Sequence, residues 1–267
     1  GVSLRLKGDW TDHLDRNQWS FRVKTSTTKS WKRLKTFSLQ HTRTRCGVKE
    51  WLLHQFLNRE NVLTTRFELI NVAVNNQKLG LYVYEEHFTK QLLEYNKRKE
   101  GPIVKFSEAH FWEFHLQATQ EGANRSPVHE IYSPAILPFS ESKTAASPIL
   151  STYFTTAQNL MFQYQYGLKK ADDIFDIDIL ARYYAMLDIT GGHHSATWHN
   201  QRFYYNPIIS KLEPVVFDGY GNEQDTWVKG SFIGENLCLK SGEKYWHKKL
   251  FSDSVFLKKY IFYLDKF

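Results

Sequence analysis

The chain has 267 residues, 42% hydrophobic and 16% aromatic, enough apolar material for a packed core and too much for a disordered chain. No apolar run is long enough to make a membrane-spanning helix. The two cysteines, Cys46 and Cys238, exclude a disulfide framework and point to thiols rather than a bridge.

The net charge of +7 is unevenly placed. Residues 1–50 carry 12 Lys+Arg against 4 Asp+Glu, so the remainder is close to neutral. A basic amino-terminal part suits nucleotide phosphates, acidic substrates or an anionic polymer. Nucleic acid is not expected, because no binding motif accompanies the charge. The chain opens on a strand-like run and ends on an apolar one, as a piece of a longer protein would, and it shows no secretory leader.

In chain order, residues 2–7, 19–25 and 33–40 alternate like strands. Residues 48–59 have helical spacing. "RFELINVAV", the turn "NNQK" and "LGLYVYEE" make a hairpin, with Asn75 and Asn76 tolerating the left-handed turn. A charged helix is expected over 87–99, then the short strand "IVKF". Residues 107–150 lose periodicity and read as an insertion or linking region with some helix near "EAHFWEFHLQA"; Asn124-Arg125-Ser126 there fits a glycosylation acceptor. Residues 151–167 are helical. A stronger helix covers about 173–189, capped by Asp172 or Asp173, buried through Ile177, Leu180, Tyr184 and Leu187, and stopped by Gly191-Gly192. Strands 201–206 and 212–217 form a second hairpin, and helices follow near 243–265.

The order predicts an α+β chain in two lobes. Residues 1–106 form a strand-rich N-lobe. Residues 107–267 form a mainly helical C-lobe, with its insertion at 107–150 and a catalytic or metal loop at 188–219. The cleft between such lobes is a natural ligand site. Asn200 precedes the second hairpin and Asp218 ends it. An amide oxygen and a carboxylate brought together by a hairpin are hard donors of the kind that hold Mg²⁺ against nucleotide phosphates in protein kinases.

The stretches "LRLKGDW", "WSFRVKT", "KRLKTFSLQ", "GLYVYEEHF" and "HNQRFYYNP…LEPVVFDG" occur in order along the chain. Together they resemble the CotH kinase family, named for a bacterial spore-coat protein. The resemblance implies an atypical protein-kinase-like fold that binds ATP and Mg²⁺ (or Mn²⁺) and phosphorylates Ser, Thr or other hydroxyls of coat or surface proteins. It implies a cell-envelope, spore-surface or extracytoplasmic setting; no motif in the sequence specifies a compartment. Carried onto this sequence, it makes Asp218 the metal-binding Asp and Asn200 its partner. It also places Glu85 or Glu86 near the lobe hinge, and Glu50 where a kinase keeps the partner of its phosphate-binding lysine. Lys35, Arg22 and Lys24 are the candidates to touch phosphate.

The sequence departs from the kinase pattern in one place. A catalytic loop has its Asp five positions before its Asn, but Ser195 stands there and "GGHHSATWH" holds no carboxylate. Either Asp188, at the end of the preceding helix, turns in as base, or His194 or His193 takes the role. Asp188 is preferred, since an acid on the flank of a buried helix needs a reason. Zn²⁺ held by His193, His194, His199 and Asp188 is the weaker rival, because adjacent His side chains diverge. Trp198 and Phe203-Tyr204-Tyr205 read as core. The alternative to an active kinase is a non-catalytic binding or scaffold module on the same fold.

Overall fold

The computed structural model describes residues 1–8, 11–14, 18–26, 28–122, 134–220 and 244–267. Cys238, the Asn124-Arg125-Ser126 triplet and the Asp9-Trp10 end of "LRLKGDW" lie outside them. The chain is mixed α+β and is organised by two five-stranded sheets. Among the described residues, no helix is long and apolar enough to cross a membrane.

The first sheet is built from β1 (Val2–Leu6), β2 (Phe21–Thr25) and β3 (Thr36–His41), and from the hairpin of β5 (Phe67–Val74) and β6 (Gln77–Glu86). It is antiparallel throughout, in the order β1-β2-β3-β6-β5. The turn between β5 and β6 is made by Asn75 and Asn76, both left-handed, as the sequence predicts. Period-two alternation separates the two faces of this sheet. Val23, Phe37 and Tyr84 share one face and, with Leu34, form a small apolar core closed by Trp31, whose ring stacks on Phe37 at 5.0 Å. The opposite face is polar: Arg22, Ser38 and Glu85 stand directly across from one another.

Helix α1 (Val48–Arg59) follows β3 after a tight corner, and β4 (Leu63–Thr64) follows it. β4 belongs to the second sheet, where it runs parallel to β10 (Lys211–Val216). That sheet continues through β9 (Arg202–Asn206), β7 (Ile103–Phe106) and β8 (Ile136–Pro138), all antiparallel. Two expectations change here. "IVKF", assigned to the first 106 residues, lies inside the second sheet. The 107–150 stretch, expected as an insertion or linking region with some helix, also supplies a strand, edge strand β8, besides α3 (Ala109–Gln120) and α4 (Glu141–Ala145). The helix expected over 87–99 is only α2 (Lys90–Tyr95).

The main core packs α1 and α5 (Pro148–Gln165) around α7 (Ile177–Thr190), with α8 (Lys244–Ser252) and α9 (Ser254–Lys266) closing it. Leu53 and Leu57 of α1 are fully buried in this core beside Leu180, Tyr184 and Leu187 of α7. The expected 173–189 helix is split in two. Short α6 (Ala171–Ile174) ends at Phe175, which is extended and fully buried, bridging Leu212 of β10. The chain therefore restarts the helix at Asp176, whose carboxylate accepts the Ile179 amide at 3.2 Å. The cap moves from Asp172 or Asp173 to the third aspartate because core packing of Phe175 overrides helix continuity.

Asp176→Ala is expected to lower stability by about 1 kcal/mol, the usual worth of an N-cap. Asp172→Ala should stay within roughly 0.5 kcal/mol of wild type, as surface substitutions do. Denaturant titration of the two variants checks this; equal losses would return the cap to Asp172.

Candidate functional site

Helix α7 stops where the sequence predicts. Gly191 is left-handed, and the Gly192 amide donates back to the Leu187 carbonyl at 2.8 Å, closing the helix end. A single 3-10 turn, His193–Ala196, then leads toward Asn200 and β9. After β10 the chain passes Phe217 and reaches Asp218 in the left-handed region, φ 55°. Asp is among the few residues that tolerate this conformation. The next two amides are gathered by one group. Gly219 donates to Glu50 Oε1 at 3.1 Å and Tyr220 to Glu50 Oε2 at 3.2 Å. Successive backbone amides around a left-handed turn make a concave anion site, and here the anion is the protein's own. Glu50 lies in the first turn of α1, is fully buried, and also receives His54 Nε2 at 3.2 Å. Gly219 is required by close approach: a Cβ there would come within 2.3 Å of Leu53 Cδ2.

The Asp218 carboxylate faces two side chains. Arg45, from the turn before α1, forms an ion pair with Oδ1. His194 Nε2 stands 3.7 Å from Oδ2, beyond hydrogen-bond reach. Asn200 joins the same group through its side-chain amide, which donates to the His194 carbonyl at 3.1 Å. The His194 amide in turn donates to the Gly219 carbonyl at 3.1 Å. His194 thus neighbours both Asn200 and Asp218, the first through its backbone and the second through its ring. Phe217 has two guanidinium groups near its ring, Arg45 4.9 Å and Arg202 5.2 Å from its centre. Arg202 is fixed by the carbonyls of His199 and Gln201 at 2.7 and 2.9 Å, and burial pushes it down to about 10.

The polar face of the first sheet continues this charge cluster. Lys7 pairs with Glu85 at 3.0 Å, and Gln40 donates to the same carboxylate oxygen at 2.7 Å. Arg22 reaches His87 Nδ1 at 2.8 Å. Burial alone would raise Glu85, but Lys7 and Arg45 hold it at about 2. Burial pushes Lys7 down to about 8 in spite of Glu85, so both partners are charged at neutral pH. Burial, with Arg22 beside it, pushes His87 down to about 3 and keeps it neutral. Next to His87, at the end of β6, a small pocket of about 30 Å³ opens between Phe88, Leu93, Ile103 and Phe139, rimmed by Lys90 and Lys143. Phe88 contacts Phe217 at 5.3 Å between ring centres, which connects this pocket to the Asp218 loop.

A family model described as CotH kinase protein matches residues 4–267, essentially the whole chain. The chain belongs to the CotH kinase family. No curated protein matches the sequence.

The CotH resemblance nominated several residues that this geometry separates. Asp188 does not open toward Asp218. Its side chain is fully buried, with one oxygen 2.9 Å from His193 Nε2 and the other accepting the Tyr260 hydroxyl. Its reason for lying on the buried helix is this tie between α7, the 3-10 turn and α9. Glu50 pairs with backbone amides instead of a lysine. Glu86 is buried on the other face of the sheet from Glu85, held by Arg66 through Nε at 2.9 Å and Nη2 at 2.5 Å. Lys35 is exposed, one residue before β3, on the side of Phe37 and Leu39 by strand alternation, whereas Arg22 and Lys24 face the other way. Lys24 is also exposed; only Arg22 of the three lies within the cluster. The three histidines weighed for zinc turn to different partners, His199 meeting Thr197 at 3.4 Å. Among the described residues, no three His, Cys, Asp or Glu side chains gather as a metal group. Trp198, Phe203, Tyr204 and Tyr205 are buried core residues.

Arg45, Lys7, Gln40 and Arg202 were missed. Lys7 was in view inside "LRLKGDW". Nothing local distinguishes Arg45 from Arg43, which is exposed two residues earlier.

The Glu85 shift predicts an acid-limb signature. Its folded pKa lies below the ordinary 4.5, so its contribution is complete above pH 4.5 and is lost as pH falls toward about 2. Between those limits wild type should lose on the order of 3 kcal/mol through this group, and Glu85→Gln should lack that part of the slope. Denaturant unfolding from pH 2 to 6 measures it; parallel slopes for the two proteins would contradict the charged pair.

Proposed function

We propose that the chain is an ATP- and Mg²⁺-dependent kinase that phosphorylates Ser or Thr hydroxyls of a coat or cell-surface protein. The observation that carries this reading is that Asn200 and Asp218 both adjoin His194, Asn200 through a hydrogen bond to its carbonyl and Asp218 at 3.7 Å from its ring, beside the cations Arg45 and Arg202. The donor set fits a hard divalent ion. It offers a carboxylate and an amide, both oxygen ligands, with no thiolate, and the Asp218 side chain retains 19% exposure through which an ion can enter. When bound, the ion would neutralise the phosphates and polarise the one transferred.

The chain's own groups supply the rest. Lys7 and Arg22 present positive charge from the polar face of the first sheet. Arg202 holds a fixed positive field beneath Phe217. His194, one-fifth exposed and next to Asp218, takes the proton of the acceptor hydroxyl. Asp188 serves as a positioning residue, holding His193 and through it the turn that carries His194. Since phosphoryl transfer depends mainly on positioning and charge stabilisation, a histidine suffices for the proton.

Transfer from labelled ATP to a protein acceptor, with wild type and Asp218→Ala compared, tests this. A loss of about 100-fold or more is expected, the scale of removing one strong electrostatic contributor. Equal transfer by both would remove the metal role of Asp218. Absence of nucleotide binding in calorimetry with wild type would favour the non-catalytic scaffold instead.

A further inference from the structure

The buried guanidinium of Arg45 occupies the carboxylate that the kinase reading gives to the metal. A carboxylate oxygen engaged by a guanidinium cannot give its full field to a divalent ion, so the two cations compete for Asp218. Glu50, where the resemblance puts the partner of a phosphate-binding lysine, receives the amides of Gly219 and Tyr220 instead. We propose that Arg45 is a mobile counter-charge, which neutralises Asp218 while no metal is bound and turns to the nucleotide phosphates once the metal takes that carboxylate. The proposal rests on the kinase reading and names a phosphate-contacting residue within it.

Three features of the site support the exchange. First, Arg45 hangs from a corner rather than from a regular element. It ends a four-residue 3-10 turn and is followed by Cys46 and Gly47, both at positive φ. Its side chain therefore leaves the backbone before α1 begins, and α1 is held separately by the Glu50 bonds. Second, its charge reaches the polar face of the first sheet, where it acts on Lys7 and Glu85 and where phosphates would lie. Third, its departure leaves Phe217 supported. Arg202 lies 5.2 Å from that ring's centre and is anchored by two carbonyls, so it preserves the local positive field. A site that holds a cation on its acid until metal and nucleotide arrive together avoids leaving a largely buried carboxylate unpaired.

The test is a crossed pair of affinities. Mn²⁺ binding without nucleotide is read by electron paramagnetic resonance in wild type, Arg45→Met and Arg45→Gln; both substitutions keep much of the packing against Phe217 and remove the charge. Binding of a non-hydrolysable ATP analogue with Mn²⁺ is read by calorimetry on the same proteins. The variants should bind Mn²⁺ alone about tenfold more tightly than wild type and the analogue about tenfold more weakly, a coupling of ordinary size. Two variants are used so that poor folding of one, seen as a lowered Tm, leaves the other to decide. Unchanged Mn²⁺ affinity, or unchanged analogue affinity, overturns the exchange while leaving the kinase reading intact. If neither wild type nor the variants bind Mn²⁺ or the analogue, the kinase reading falls and this proposal with it.

Discussion

The buried carboxylate of Glu50 is the constraint on which the site depends. It lies on α1, yet its partners are backbone amides 169 and 170 residues later in the chain. Leaving either side unsatisfied in the interior would be expensive, since a buried charge or amide without a partner costs several kcal/mol or about 1–3 kcal/mol respectively. Each satisfies the other, and the result fixes the loop that carries Asp218. Leu53, one turn along α1, completes the fit. Its Cδ2 lies where a Cβ on Gly219 or Gly192 would have to go, at 2.3 and 3.0 Å. The two glycines are therefore not interchangeable spacers. They allow one leucine to sit against both the loop after α7 and the loop after β10. Stability and function meet in this contact, because what packs α1 onto the core also sets the direction of the candidate metal ligand.

Around that fixed point the electrostatics are arranged in two layers. The inner layer is Arg45, Asp218, His194 and Arg202, gathered about Phe217. The outer layer is Lys7, Glu85, Arg22 and His87 on the sheet. Burial would discharge several of these groups if each stood alone, as the lowered Lys7 and His87 show. Pairing keeps the Lys7 and Glu85 charges in place. The four cations Lys7, Arg22, Arg45 and Arg202 stand among four carboxylates, Glu50, Glu85, Asp218 and the more distant Glu108, which is 3.9 Å from Arg202, so these formal charges balance.

Much of this was legible in the sequence because it rests on local rules. Strand alternation placed Arg22 opposite Phe21 and Val23, and that separation is what puts it on the polar face. Asn75-Asn76 and Gly191-Gly192 marked a turn and a helix end through their tolerance of left-handed backbone. The ordered motifs led to the CotH family, whose match covers residues 4–267. What could not be read were pairings set by tertiary contact. A glutamate that binds amides looks the same in sequence as one that binds a lysine. Arg45 and Arg43 differ only in which way a short turn directs them. Asp188 gave a signal, an acid beside apolar neighbours, but its partner Tyr260 lies 72 residues away. The cap at Asp176 was displaced by the burial of Phe175, which helix periodicity does not register.

The bond between Glu50 and the Asp218 loop is tested most directly by amide hydrogen exchange at Gly219 and Tyr220. In wild type both amides should be protected to the level of the α7 core, although they lie in a loop outside any strand or helix. In Glu50→Ala both should exchange at rates typical of open loops while amides in α7 remain slow. Fast exchange at Gly219 and Tyr220 in wild type would show that Glu50 does not hold the loop.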